Sequence, residues 1–389
     1  MALKWRRLLR LGRTDALDYT SSPEELTEGN RLSLLHDGRE TFPAMLEAIA
    51  SARLAVHLET YILRDDATGK DFARALGERA RAGVQVRVIY DSVGSLGLSD
   101  SYLQGLRNSG VQLLAYRPIA PWRRRWGWGR RDHRKILVID GKVAFTGGIN
   151  IAHEHASAEA GGGGWRDIQV RVEGPAAYDL DALFRSVWFR ETRRWFELPG
   201  HPRERAGGAL VQVVANQEFL HRHRIRQEYR HAIHRARRRI LIANAYFVPD
   251  RAIRKALYAA RRRGVIVDVL VPSRSDVPAV QYASRSLFET HLQNGLRLFA
   301  WPGPHLHTKL VVIDGAWCSV GSYNLDHRSW LHNLEVNLHV EDAAFAREAE
   351  RAVLQDIALS SEVKLERWRE RAWDERLLEN FFSLLRYWL

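Results

Sequence analysis

The chain has 389 residues and a formal net charge of +13, from 59 Lys and Arg against 46 Asp and Glu. With 46% hydrophobic and 27% charged residues it is not a disordered chain, and no stretch approaches the roughly 20 apolar residues of a membrane-spanning helix. Cys318 is the single cysteine, which excludes an intramolecular disulfide and a zinc site built from several thiolates; a reducing compartment and a polyanionic partner, nucleic acid or anionic lipid, fit the rest.

Taken in chain order, residues 1–29 form a basic, amphipathic segment. MALKWRRLLRLGR sets Leu3, Trp5, Leu8, Leu9 and Leu11 among five cationic side chains, a mixture suited to an interfacial helix. A first α/β half spans residues 30–198. In it, AVHLETYILRD from Ala55 is a β-rich run ending in aspartate, a helical stretch follows, and GVQVRVIYD from Gly83 is a buried strand opened by a helix-ending glycine. Next, PWRRRWGWGRRDHRK places Trp122, Trp126 and Trp128 among arginines, a composition for a lipid-headgroup interface. The run HRKILVIDGKVAFTGGIN, from His133 to Asn150, is almost continuously apolar. Gly161 to Gly164 are four consecutive glycines, read as a flexible, solvated connection without a chemical role.

Residues 199–208, rich in Pro and Gly with mixed charge, form a linker, and residues 209–389 a second half. That half repeats the plan: ILIANAYFVPD from Ile240, GVIVDVLVP from Gly264, and HTKLVVIDGAWCSVGSYN from His307 to Asn324. The basic run from His221 is the solvated face of a helix.

The repeated pattern H-x-K-x-x-x-x-D then G-[GS]-x-N supplies the candidate catalytic residues His133, Lys135 and Asp140 in one half and His307, Lys309 and Asp314 in the other. On a strand, each histidine shares a face with the lysine two residues on, while the aspartate, at odd separation, faces away and holds the following turn. An imidazole beside an ammonium suits phosphate chemistry: one imidazole attacks phosphorus, the other moves protons, and the cations bind the oxygens. One H-x-K alone is an unremarkable strand end; two copies in matching repeats point to catalysis. Asn150, Asn324 and Ser322 are candidate phosphate ligands. Asp167 and Glu335, 34 and 28 residues beyond the histidines of their own halves, are candidates to orient a histidine through its second nitrogen. Gly148 stands where the second half has Ser322, so a hydroxyl contact to phosphate is expected from one side only.

These residues carry a resemblance. The duplicated HxKxxxxD with GGIN and GSYN resembles the phospholipase D superfamily, and LETYIL, GWRDIQVRVEGP, AYFVPD and SYNLDHRSWLHNLE are similar to bacterial cardiolipin synthases over nearly the whole chain, in a short form without transmembrane helices. The resemblance implies two similar α/β halves packed about a pseudo-twofold axis with the active site between them. It implies transfer of a phosphatidyl group from phosphatidylglycerol through a phosphohistidine to a second phospholipid, releasing glycerol, with no metal or organic cofactor. The expected partners are anionic phospholipid and the membrane surface, not nucleic acid, with the enzyme peripheral on the cytoplasmic face. A hydrolase or a nuclease of the same superfamily would use the same residues, and a non-enzymatic membrane-binding protein would need a degenerate site.

Overall fold

The computed structural model describes residues 19–118, 129–197, 204–216, 223–385 and 387. The first half contributes strands β1 (Thr27–His36), β2 (Ala55–Thr60), β3 (Gln85–Asp91), β4 (Gln112–Tyr116), β5 (Ile136–Ile139), β6 (Val143–Gly147) and β7 (Ile168–Glu173). The second contributes β8 (Ala209–Asn216), β9 (Arg239–Asn244), β10 (Ile266–Pro272), β11 (Arg297–Trp301), β12 (Lys309–Ile313), β13 (Trp317–Gly321), β14 (Glu335–Glu341) and β15 (Ser361–Val363). They form one 15-stranded mixed sheet in the order β15-β11-β10-β9-β12-β13-β14-β8-β1-β7-β6-β5-β2-β3-β4. Reading outward from the antiparallel β1–β8 junction, the halves have the same strand order; β15 adds an edge to the second.

Local chemistry explains the repeat. In each half two parallel strands are linked by a crossover helix, Ala67–Arg81 or Arg251–Arg262. Asp66 caps the first, accepting from the Gly69 N–H at 2.9 Å, and Asp250 caps the second, accepting from Ala252 N–H at 2.7 Å. Gly83 and Gly264 end the connections at φ +87° and +89°. Each apolar H-x-K run is two strands rather than one, folded as hairpins β5–β6 and β12–β13. The Asp140-Gly141 and Asp314-Gly315 pairs turn them, all four residues at positive φ, as type I′ turns require.

The hydrophobic core has a shared layer and two private ones. The shared layer joins Ile136, Val138, Val170 and Val172 to Leu310, Val312, Val336 and Leu338, under the helices Pro175–Thr192 and Ala343–Ala358. Residues at odd register, such as Leu137 and Phe145 or Val311 and Ile313, face the private layer of their own half. Both strand faces are thus covered, which is why the runs are continuously apolar.

Two expectations are corrected. Residues 19–29 are not a separate piece: β1 begins at Thr27, and Tyr19, Thr20 and Ser21 hydrogen-bond Asp314, Glu341 and Glu228 of the second half. Nor is the glycine run a loose tether, although Gly161 and Gly163 are exposed as expected. The N–H groups of Gly161, Gly162, Gly163 and Gly164 donate to the carbonyls of Ala158, Ser157, His153 and Ala156 at 2.9–3.0 Å, folding the loop onto the segment before it. The expected interfacial helix at residues 1–18 and the tryptophans at 122, 126 and 128 lie outside the described residues.

Candidate active site

The H-x-K segments sit where the halves meet, each paired with a segment of the other half. His133 N–H donates to the Leu334 carbonyl at 3.0 Å and Leu334 N–H to the Arg131 carbonyl at 2.9 Å; symmetrically, His307 N–H donates to Arg166 and Arg166 N–H to His305, both at 2.7 Å. Leu334 immediately precedes Glu335 and Arg166 immediately precedes Asp167, so this pairing delivers each carboxylate to the opposite histidine. Both Glu335 oxygens lie 3.1 Å from His133 Nδ1, and Asp167 Oδ2 lies 2.8 Å from His307 Nδ1. Sequence spacing placed one carboxylate in each half without saying which histidine it serves; each serves the other half's.

Because a carboxylate accepts, Nδ1 carries the proton and Nε2 keeps its lone pair. Burial, then the charges of Lys135 and Lys309, holds His133 well below the ordinary imidazole value, and burial and Lys309 do the same to His307. Both are therefore neutral at neutral pH. Burial also brings Lys135 down to about 7 and Lys309 to about 8, and raises Glu335 to about 7 and Asp167 above its usual value. Each lysine Nζ donates to the main-chain oxygen of its own motif's histidine, at 2.7 Å for Lys135 to His133 and likewise for Lys309 to His307. An ammonium has three donors, so two remain on each for an anion. Lys135 also lies 5.2 Å from the centre of the Tyr61 ring.

The other expected residues divide. Asn150 and Asn324 are buried beside the histidine segments; Asn150 Oδ1 accepts from the Ile62 N–H at 3.1 Å, whereas Asn324 Oδ1 has no hydrogen-bond partner. Ser322 departs from the phosphate role expected of it. Its hydroxyl donates to Glu335 Oε2 at 2.5 Å and accepts from Val336 N–H at 3.0 Å, so it braces the carboxylate behind His133. The first half has glycine there for lack of space: a Cβ on Gly148 would collide with the Asp167 carboxylate. Asp140 and Asp314 stand at the far ends of β5 and β12 from the histidines. Asp140 accepts three N–H groups from Arg53, Leu54 and Ala55, and Asp314 three from Arg237, Arg238 and Arg239. They fasten the chain entering β2 and β9 rather than only their own turns, and neither reaches the cleft.

Several neighbours escaped sequence reasoning. Trp165, delivered by the glycine loop, lies with its ring 4.4 Å from His305 and 5.5 Å from His307, and His155 lies 5.1 Å from His307. His305 Nε2 is 3.2 Å from Asp276, which also accepts from the Tyr246 hydroxyl at 2.8 Å. Tyr61, 4.9 Å from His133, and Tyr246 hold the same place in the repeated runs from Ala55 and Ile240, a signal that could have found them. His155, Trp165 and His305 have no counterpart in the repeat. His155, Asp167 and His307 offer ligand atoms within 4.8 Å of one another, a spacing that could hold a metal ion; Lys135 and Lys309 add positive charge that opposes one.

Two like halves in one sheet, with paired H-x-K segments at their junction, define a phospholipase D-like protein. A phosphatidylserine synthase structure from Haemophilus influenzae shares the fold, with a TM-score of 0.70 at 13% identity, over 97% of this chain and all of that one. Residues 45–188 and 229–357 match the family described as cardiolipin synthase, PLD-like domain. Cardiolipin synthase A of Pseudomonas fluorescens is 38% identical over 348 residues, 88% of this chain and 71% of that protein. A cardiolipin synthase of Geobacillus kaustophilus is 34% identical over 391 residues, 99% of this chain and 76% of the relative. The chain belongs to the cardiolipin synthase family of phospholipase D-like proteins.

Proposed function

We infer that this chain is a phosphatidyltransferase, a cardiolipin synthase, that takes a phosphatidyl group from phosphatidylglycerol and delivers it to a hydroxyl of a second phospholipid. The observation that carries the reading is the pair of neutral imidazoles, each held through Nδ1 by the opposite half's carboxylate, with the two lysines beside them. His133 Nε2 attacks phosphorus; the anionic phosphate in the cleft favours the imidazolium of His307, which takes up a proton at Nε2 from solvent, and the P–O bond to glycerol breaks as that proton passes to the departing oxygen, leaving a phosphohistidine, neutral His307 and free glycerol. His307 then takes the proton of the acceptor hydroxyl, whose oxygen attacks phosphorus, and the P–N bond breaks. For the second role, His307 has His305 and Asp276 beside it as a polar route outward. Lys135, Lys309 and Asn324 bind the phosphate oxygens throughout, stabilising charge that a metal would otherwise carry.

On this reading the enzyme works at the membrane surface, on the cytoplasmic face; among the described residues no helix is long and apolar enough to cross a membrane. The test is a product balance. Purified protein on phosphatidylglycerol vesicles should give cardiolipin and glycerol in equal amounts by mass spectrometry, unaffected by chelators. Phosphatidic acid as the main product would make it a hydrolase. Acid-labile phosphate should be trapped on His133; trapping on His307 would exchange the two roles.

A further inference from the structure

Seven of the thirteen exposed large hydrophobic side chains among the described residues lie in the last stretch of the chain, between Trp373 and Tyr387. The helix Trp373–Leu384 is amphipathic in the wrong sense for a surface helix. Its inward side joins Phe382 to an ionic cluster: Glu379 is buried between Arg285 and Arg371, at 3.1 and 2.8 Å, and Glu375 also meets Arg285. Its outward side is apolar. Trp373, Leu377, Phe381 and Leu384 follow at helical spacing, 73%, 57%, 58% and 77% exposed. A patch of this kind marks an interaction surface.

The helix also borders the catalytic cleft. Phe382 stacks on Tyr282 with ring centres 5.5 Å apart, and packs against the cluster holding Tyr246 and Val277, which flank Asp276. Tyr387 lies 4.6 Å from His327, next to Asp326 in the loop that carries Asn324. The C-terminal end of the helical segment therefore rests on loops of the second-half side of the site.

We propose that the apolar face Trp373/Leu377/Phe381/Leu384 is the surface that docks this enzyme on an anionic phospholipid bilayer, bringing the cleft to its substrate. The proposal rests on the transferase reading, because a lipid leaving a bilayer must enter by a surface continuous with the cleft. Charge favours the bilayer over a second copy as occupant: the exposed Arg367, Arg369 and Arg376 are balanced locally by the exposed Glu366, Glu370 and Asp374, but the chain as a whole carries +13, repels its own kind and is attracted by an anionic surface.

The test pairs two forms of the full chain. In the first, Trp373, Leu377, Phe381 and Leu384 are all replaced by Ser, positions whose exposure leaves packing intact. Its affinity for phosphatidylglycerol vesicles should fall at least 10-fold, while turnover of a dispersed short-chain phosphatidylglycerol stays within about twofold of wild type. In the second, Leu377→Cys carries an environment-sensitive fluorophore, Cys318 being buried and out of reach; its emission should shift to the blue on vesicles and be quenched by brominated lipid. Unchanged vesicle affinity in the first form, or no blue shift in the second under conditions where it sediments with vesicles, overturns the proposal. So does a wild-type dimer that the serine variant converts to monomer with vesicle binding retained, which would give the face to a second copy. Failure of wild type on the short-chain substrate would sink the reaction instead, leaving the vesicle result to decide the docking.

Discussion

The histidine segments of the two halves are built alike, yet the groups behind them are not. His133 leans on Glu335, which Ser322 steadies at 2.5 Å and the Asn333 amide at 3.3 Å. His307 leans on the shorter Asp167, with Gly148 pressed against that carboxylate and with His155, Trp165 and His305 around the ring. One site thus keeps its long carboxylate in place by side-chain hydrogen bonds, the other its short one by the Ile168 N–H at 2.8 Å and close packing. The two copies keep the same histidine and lysine while the support behind them differs, which on the proposed reaction suits one imidazole to attack and the other to proton transfer.

The sharpest break of the symmetry is removal of either ring. His133→Ala and His307→Ala should each lower kcat by ~10⁴-fold or more, with the double variant scarcely worse, because the rings act as one unit. Steady-state assays on variants with native circular dichroism decide this, and near-normal turnover in either would end the two-histidine mechanism. Next come the supports: Glu335→Gln and Asp167→Asn should each cost about 10²- to 10⁴-fold in kcat by loss of the Nδ1–H tautomer. Making the halves more alike should then expose their difference. Gly148→Ser forces a side chain into the space of the Asp167 carboxylate and should cost more activity than Ser322→Gly, which removes one brace from Glu335 and is expected to cost about tenfold. Equal losses would mean that packing and hydrogen bonding support the two carboxylates interchangeably.

A smaller effect follows from the two lysines. Each is cationic below its own value, about 7 for Lys135 and about 8 for Lys309, and loses that charge as pH rises. Inorganic phosphate should therefore inhibit competitively near pH 6.5 and progressively less up to pH 9, and Lys135→Met should remove the lower part of that dependence. The least effect on chemistry is expected from the motif aspartates. Asp140→Ala or Asp314→Ala should destabilise the fold by about 1–3 kcal/mol through orphaned N–H groups, with kcat per folded molecule near wild type. Burial alone would raise Asp314, but the N–H groups of Arg239, Arg237 and Arg238 and the Tyr19 hydroxyl hold it below the usual carboxylate value. Its contribution is thus present above the unfolded carboxyl value and is lost as pH falls through the folded one, so Asp314→Ala should flatten the acid limb of a thermal-melt series.

The repeat made the two-half architecture legible, because hairpin turns, helix caps and strand faces are written in short-range patterns such as Asp140-Gly141 and Gly83. His133, Lys135, His307 and Lys309 were legible for the same reason, since each H-x-K comes twice. What was hidden depends on contacts between distant residues. Strand parity turned the motif aspartates away from the histidines but could not show that Asp140 binds a turn 85 to 87 residues earlier. Ser322 was read as a phosphate ligand because its carboxylate partner lies across a strand pair. The Gly161–Gly164 loop looked loose because its four acceptors are carbonyls, which composition does not reveal. The bond from Tyr19 to Asp314 joins residues 295 positions apart and left no local trace.

The crossing of carboxylates also sets an order in time. The two orienting bonds close loops of 202 and 140 residues, far longer than any hairpin or crossover in either half. On a ribosome that adds about 5–20 residues per second, the first half can reach its own fold many seconds before Glu335 is made. Through that interval His133 has no carboxylate on its Nδ1, and His307 does not yet exist. A nascent chain with its first H-x-K complete is consequently chemically silent, and competence toward phosphodiesters arrives in one late event, when the closing strand β14 takes its place beside β8.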